Sequence, residues 1–151
     1  MPFLKRVIVL YALLIASPAM SDQFREGLRA LQLKEDDKAA KIFQRLAADD
    51  NRDAQFMLGV LHEGGYGVDK NFYEAAHWYL KAAKAGLSSA QYNLGIFYQF
   101  GQGVRKSDAE AFAWHSRAAS QGHASAQNNL ASLYFAGNGV DKDPMEAWKW
   151  Y

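Results

Sequence analysis

Cysteine is absent. That excludes disulfides, thiolate-zinc sites and a lipid-modified cysteine at a cleavage point, so packing alone holds the fold together. An excess of charge of one sign is lacking too: 17 Lys and Arg stand against 16 Asp and Glu. With residues 1–21 set aside, which hold Lys5, Arg6 and no acid, fifteen basic side chains face sixteen acidic ones, a net charge of −1. The chain therefore has no electrostatic footprint for nucleic acid or for an anionic membrane. Long apolar runs are also missing. The run Val7 to Ala16 falls short of the ~20 residues a helix needs to cross a bilayer. It follows Lys5-Arg6 and precedes Ser17-Pro18-Ala19-Met20-Ser21, which offers small residues where a signal peptidase reads. This order predicts a signal peptide over residues 1–21, cleaved after Ala19 or Ser21, export to the periplasm or medium, and no membrane insertion afterwards.

Catalytic patterns are equally scarce. No serine has lysine three residues later, and no Gly-x-Ser-x-Gly elbow occurs, so the usual acyl-transfer nucleophiles are missing. His62, His77, His115 and His123 lack the fixed offsets of a metal site; His62-Glu63 runs into Gly64-Gly65 with no second histidine. The Gly-x-Gly stretches end helices instead of following a strand, and they lack the lysine-serine finish of a phosphate cradle. No enzyme, no cofactor and no metal are expected.

What is present is repetition. Ala54-Gln55, Ala90-Gln91 and Ala126-Gln127 stand 36 residues apart, as do Leu58, Leu94 and Leu130, the Gly-x-Gly-Val stretches at Gly65, Gly101 and Gly137, and Trp78, Trp114 and Trp150. A period of this length marks stacked supersecondary units that supply one another's core. Apolar spacing predicts first helices over Asp53 to Glu63, Ser89 to Phe100 and Ser125 to Ala136. Second helices begin near Phe72, Asp108 and Pro144, with Asp143-Pro144 as N-cap and N1 and with Ser107 and Glu110 as a capping box. Gly86 and Gly122 close the first two of these. The 36-residue period also predicts that the tryptophans fill equivalent core slots. Residues 22–50 form a divergent pair, because Gly27 to Ala39 is four residues shorter than Gly59 to Ala75. The expected organisation is signal peptide 1–21, divergent pair 22–50, and repeats 53–88, 89–124 and 125–151, the last truncated.

The succession Ala-Gln-x-x-Leu-Gly-x-x-Tyr, Gly-x-Gly-Val, Ala-x-x-Trp and Ala-Ala-x-x-Gly resembles the Sel-one-like repeat, a longer-looped relative of the tetratricopeptide repeat, over Asp53 to Tyr151. The segment Asp22 to Asp50 is similar to the tetratricopeptide version. The resemblance implies an all-α, right-handed solenoid of antiparallel helix pairs that serves as an adaptor in protein complexes, in bacteria often outside the cytoplasm. Departures are His62 in a tyrosine slot, Ala131 in a glycine slot, and a last unit that ends at Trp150-Tyr151. Some secreted relatives are linked to penicillin binding or β-lactamase activity, which is the alternative function; those relatives are cysteine-rich and this chain is not.

By the same resemblance, the inner surface carries the helix residues three before, one after and four after the small residue. These are Phe24, Leu28 and Leu31; Phe56, Val60 and Glu63; Tyr92, Ile96 and Gln99; and Asn128, Ser132 and Phe135. An extended peptide or a helix of another protein would bind there, unless Phe24 and Phe56 simply pack between units. Trp148, uncovered on the last helix, adds the open C-terminal end as a second place for a partner, for another copy of the chain, or for a continuation.

Overall fold

The computed structural model describes residues 21–151. The expected signal peptide lies outside the described residues except for Ser21. Eight helices and no strand occur among them: α1 (Asp22–Gln32), α2 (Asp36–Ala48), α3 (Arg52–Gly64), α4 (Phe72–Lys84), α5 (Ser88–Phe100), α6 (Asp108–Ser120), α7 (Ala124–Ala136) and α8 (Pro144–Trp150). They fall into two compact units, one up to Ala75 and one from Ala76 onward.

In the first unit, Ser21 caps α1 by accepting from Phe24 N–H at 3.3 Å. Phe24, Leu28 and Leu31 recur at helical spacing and are all buried. Phe24 meets Phe43 of α2 edge-on at 5.2 Å. The Phe43 ring sits where a side chain on Gly27 would stand, so only glycine lets the two helices approach this closely. Asn51 caps α3 through Ala54 N–H at 2.9 Å, and Gly65 ends it in the left-handed region at φ 72°. In the loop that follows, any Cβ on Gly67 would collide with the carbonyl of Asp36. The loop thus rests on the first turn of α2, and Asn71 N–H ties its far end to the carbonyl of His62 at 2.9 Å.

The second unit repeats these devices. Gly101 and Gly137 end α5 and α7 at φ 69° and 77°, and Gly139 approaches the carbonyl of Asp108 as Gly67 approaches that of Asp36. Ser107 and Asp143 N–H groups bind the carbonyls of Tyr98 and Tyr134 at 3.0 and 2.9 Å. His62 thus keeps the backbone bond of the tyrosine slot, whose ring in Tyr134 also packs edge-on against Phe112 at 5.2 Å. The expected capping box at Ser107 is only half formed. Its hydroxyl accepts from Glu110 N–H at 3.2 Å, but its own N–H goes to Tyr98, which leaves the Glu110 carboxylate no part in the cap. Asp143 caps α8 through Met145 and Glu146 N–H. Ala118, Ala119, Ala126 and Leu130 form a core cluster, flanked by Tyr92, Phe112, Tyr134 and Trp150.

The repeated Ala-Gln pair finds its reason here. Gln55, Gln91 and Gln127 each reach back from the start of a first helix to a carbonyl near the end of the preceding one: Ala47 at 3.5 Å, Ala83 at 3.1 Å and Ala119 at 3.3 Å. Each of these carbonyls also accepts a backbone N–H from three residues on, Asp50, Gly86 and Gly122 in turn, so the glutamine amide uses the remaining lone pair and ties the start of one helix pair to the end of the one before.

Candidate partner-binding surface

The expected inner row divides sharply by burial. Phe24, Leu28, Leu31, Phe56 and Val60 are core residues, none more than 4% exposed, so they pack between helices and offer a partner nothing. Their place on an interaction surface is corrected: the divergent pair and α3 use these positions for their own packing. Glu63 is half-buried near the end of α3. On α5, Tyr92, Ile96 and Gln99 are half-buried; on α7, Asn128 and Ser132 are exposed, and Phe135 is 57% exposed. Spacings of four and three residues place each trio on one stripe of its helix. Both helices pack on α6.

The stripes differ chemically from the rest of the chain. Neither α5 nor α7 holds an Asp, Glu, Lys or Arg, and the charge-free stretches extend over residues 85–104 and 118–140, His123 apart. By contrast, α1 holds Asp22, Arg25, Glu26 and Arg29. Ser132 donates its hydroxyl to the carbonyl of Asn128 at 3.0 Å, one turn back. At the rim, Lys142 lies over the Phe135 ring at 5.7 Å.

Behind the α5 stripe lies a histidine pair that sequence patterns did not bring together. Tyr92 stacks on His123 at 4.8 Å and tilts against His115 at 5.6 Å. His123 caps α7, its Nδ1 accepting from Ala126 N–H at 3.3 Å, a task that requires the neutral ring. Burial lowers its pKa. His115 is fully buried and occupies the slot that Tyr79 and Phe43 fill one and two periods earlier, against the bare backbone of Gly95. Burial first, then the nearby His123, pulls its pKa down to about 4, while Asn129 Nδ2 lies 3.5 Å from Nε2. The signal available in the sequence was the common slot of Phe43, Tyr79 and His115, which identifies a buried ring.

The other histidines do separate local work. His62 Nδ1 lies 3.3 Å from the carbonyl of Asp69, and His77 packs edge-on against Trp78 at 5.4 Å. No group of three metal-ligating side chains occurs among the described residues. Two shallow depressions, about 380 and 430 Å³, are each lined by a single helix, α2 or α1; one helix alone does not enclose a substrate. Of the repeated tryptophans, Trp114 is buried, with the Arg117 guanidinium over its ring at 4.3 Å, while Trp78 is half-buried beneath Lys81 at 4.6 Å. Trp150 is half-buried and flanks the core cluster, so the tryptophan slot is a rim as much as a core. Trp148 is 72% exposed, with Tyr151 edge-on at 6.1 Å.

Compared with known families, residues 52–87, 88–123 and 124–151 each match the Sel1 repeat. The chain belongs to the Sel1 repeat family. Among solved structures, it is similar to a protective antigen present in uropathogenic Escherichia coli strains and displaying an SLR fold, with 38% identity and a TM-score of 0.83 over 85% of this chain and 28% of the antigen. A Sel1 repeat protein from Oxalobacter formigenes gives 38% identity and 0.80 over 83% of this chain and 52% of that protein. The chain thus spans about a quarter to a half of these relatives. Cysteine rich protein B of Helicobacter pylori, at 22% identity and a TM-score of 0.55 over 84% of both chains, shares the fold. No curated protein matches. Sel1 repeats form a non-catalytic scaffold that generally mediates protein–protein interaction.

Proposed function

We propose that this Sel1 repeat chain is an exported adaptor of the cell envelope that binds a protein partner along the stripes of α5 and α7. The observation that carries the proposal is the exposed, charge-free row Asn128, Ser132 and Phe135, continued on α5 by Tyr92, Ile96 and Gln99. Phe56 and Val60, the equivalents of Asn128 and Ser132 in the first unit, are closed by packing, whereas Asn128 and Ser132 remain accessible. Site-specific photocrosslinking in cells tests this. A crosslinker at Ser132 or Gln99 should capture one discrete partner, and one at exposed Glu110 on α6 should not. Equal capture from both positions refutes a binding stripe.

Export is the second part of the proposal, supported by the Lys5-Arg6, Val7 to Ala16 and Ser17 to Ser21 order. The exported protein should begin near Met20 or Asp22 on N-terminal sequencing; intact Met1 in the soluble cytoplasm refutes it. No described helix is long and apolar enough to cross a membrane. The competing β-lactamase-like or penicillin-binding role has no serine-lysine pair to support it and predicts turnover of nitrocefin or labelling by penicillin. Self-association through Trp148 is a further proposal, resting on its exposure beside Tyr151.

A further inference from the structure

We propose that Asn138 is a site of spontaneous conversion to aspartate and isoaspartate, and that the conversion releases the last loop, with α8 behind it, from its packing. Asn138-Gly139 is the one Asn-Gly pair in the sequence. Asparagine reacts fastest before glycine, because no side chain shields the nitrogen that follows it. That nitrogen attacks Cγ of Asn138. The N–Cγ bond forms, the Cγ–Nδ2 bond breaks, and the proton from the Gly139 N–H leaves with the side-chain amide as ammonia. Water then opens the succinimide ring. Attack at Cγ leaves aspartate; attack at the backbone carbonyl carbon leaves isoaspartate, with the chain rerouted through Cβ and Cγ. Water is the only other reactant.

The structure leaves both reacting groups unencumbered. Asn138 is exposed, and neither its side-chain amide nor the Gly139 N–H has a hydrogen-bond partner among the described residues. The sister loops place Tyr66-Gly67 and Gln102-Gly103 between the same left-handed glycines. Tyrosine has no carbonyl to attack, and glutamine would have to close a larger ring, which is far slower. The consequence of conversion follows from how tightly the loop is held. Asn138 N–H binds the Leu133 carbonyl at 3.1 Å, Asp143 N–H binds that of Tyr134 at 2.9 Å, and between them Gly139 lies too close to the Asp108 carbonyl for any Cβ to fit. Isoaspartate inserts one more C–C bond, about 1.5 Å, between those two anchors. Gly139 then has to leave Asp108. Helix α8 has seven residues and starts from the Asp143 cap at the end of this loop; a helix so short holds only through its packing, so it loosens with the loop.

The test incubates the full chain in mildly basic buffer, follows position 138 by peptide mapping with detection of isoaspartate, and compares hydrogen exchange in fresh and aged protein. Acid should accumulate at Asn138 ahead of Asn128 and Asn129 on α7, mostly as isoaspartate, with matching release of ammonia and a rate that rises with base. In the aged protein the amides of α8 should lose protection while those of α5 keep theirs. Asn138→Gln copies the sister loop at Gln102, so it should fold with unchanged circular dichroism and keep α8 protected through the same incubation. Asn138→Asp, measured fresh, carries the new charge without the longer backbone and should also keep α8 protected. Conversion at Asn138 no faster than at Asn128 or Asn129 overturns the site. Conversion without loss of protection in α8, or the same loss in aged Asn138→Gln or fresh Asn138→Asp, overturns the release.

Discussion

The same register position has opposite fates in the two units. Phe56 and Val60 are sealed in the first unit, while Asn128 and Ser132, two periods later, stand open in the second. The difference teaches that repetition specifies equivalent backbone sites and leaves their environment to the neighbours. The first unit spends its first-helix rows on packing and carries charge around them. The second keeps its rows uncharged and partly accessible.

The sharpest way to break this comparison is to truncate a ring in each unit. Phe56→Ala should cost about 3 to 5 kcal/mol through loss of burial and the cavity left behind, whereas Phe135→Ala should fall within about 0.5 kcal/mol. Equal shifts of the urea midpoint would show that the rows are not distinct. Leu94, buried in the middle of α5, belongs with Phe56 in this test: Leu94→Ala should cost about 2 to 5 kcal/mol.

Acid provides the next largest effect, confined to the second unit. His115, with its pKa lowered from 6.5 to about 4, binds a proton more readily when unfolded. Stability associated with the neutral ring is therefore present above pH 6.5 and declines as the pH falls toward 4, by about 3 kcal/mol in all. His115→Phe, which restores the ring type of Phe43, should flatten that part of the pH profile. If the variant and the parent lose stability in parallel between pH 7 and pH 4.5, the buried histidine is not responsible.

Smaller effects belong to the junctions. Gln91 donates to the Ala83 carbonyl, which also accepts from Gly86 N–H, and accepts from Gln121 Nε2 at 2.7 Å, so Gln91→Met should cost about 1 kcal/mol through loss of these two bonds. Asp50 holds φ 57° where Gly86 and Gly122, one and two periods on, hold 87° and 82°. Replacing it with glycine should relieve strain and raise the urea midpoint slightly, by up to about 1 kcal/mol. A fall would show that Asp50 Oδ1, 3.5 Å from Gln55 Nε2, outweighs the strain.

Much of the fold was legible in residues alone, because a 36-residue period repeats caps, breakers and apolar spacing together. Asn51, Ser107 and Asp143 precede their helices as capping side chains, and Gly65, Gly101 and Gly137 end theirs, since these are local demands of the backbone. The divergent pair was legible from its short Gly27-to-Ala39 spacing, and it is indeed two helices. The candidate surface was legible only as a set of register positions. Whether a side chain at such a position is open depends on what packs beside it, and Phe56 and Phe135 look alike in a sequence.

Sequence by itself thus determined the helix pairs, their ends and the family, because each rests on short-range backbone chemistry repeated at one interval. Tertiary structure alone decided which rows are accessible, why the glutamines recur, and that Tyr92, His115 and His123 meet. Those outcomes depend on contacts between helices, where burial and distance are set by three dimensions and not by spacing along the chain.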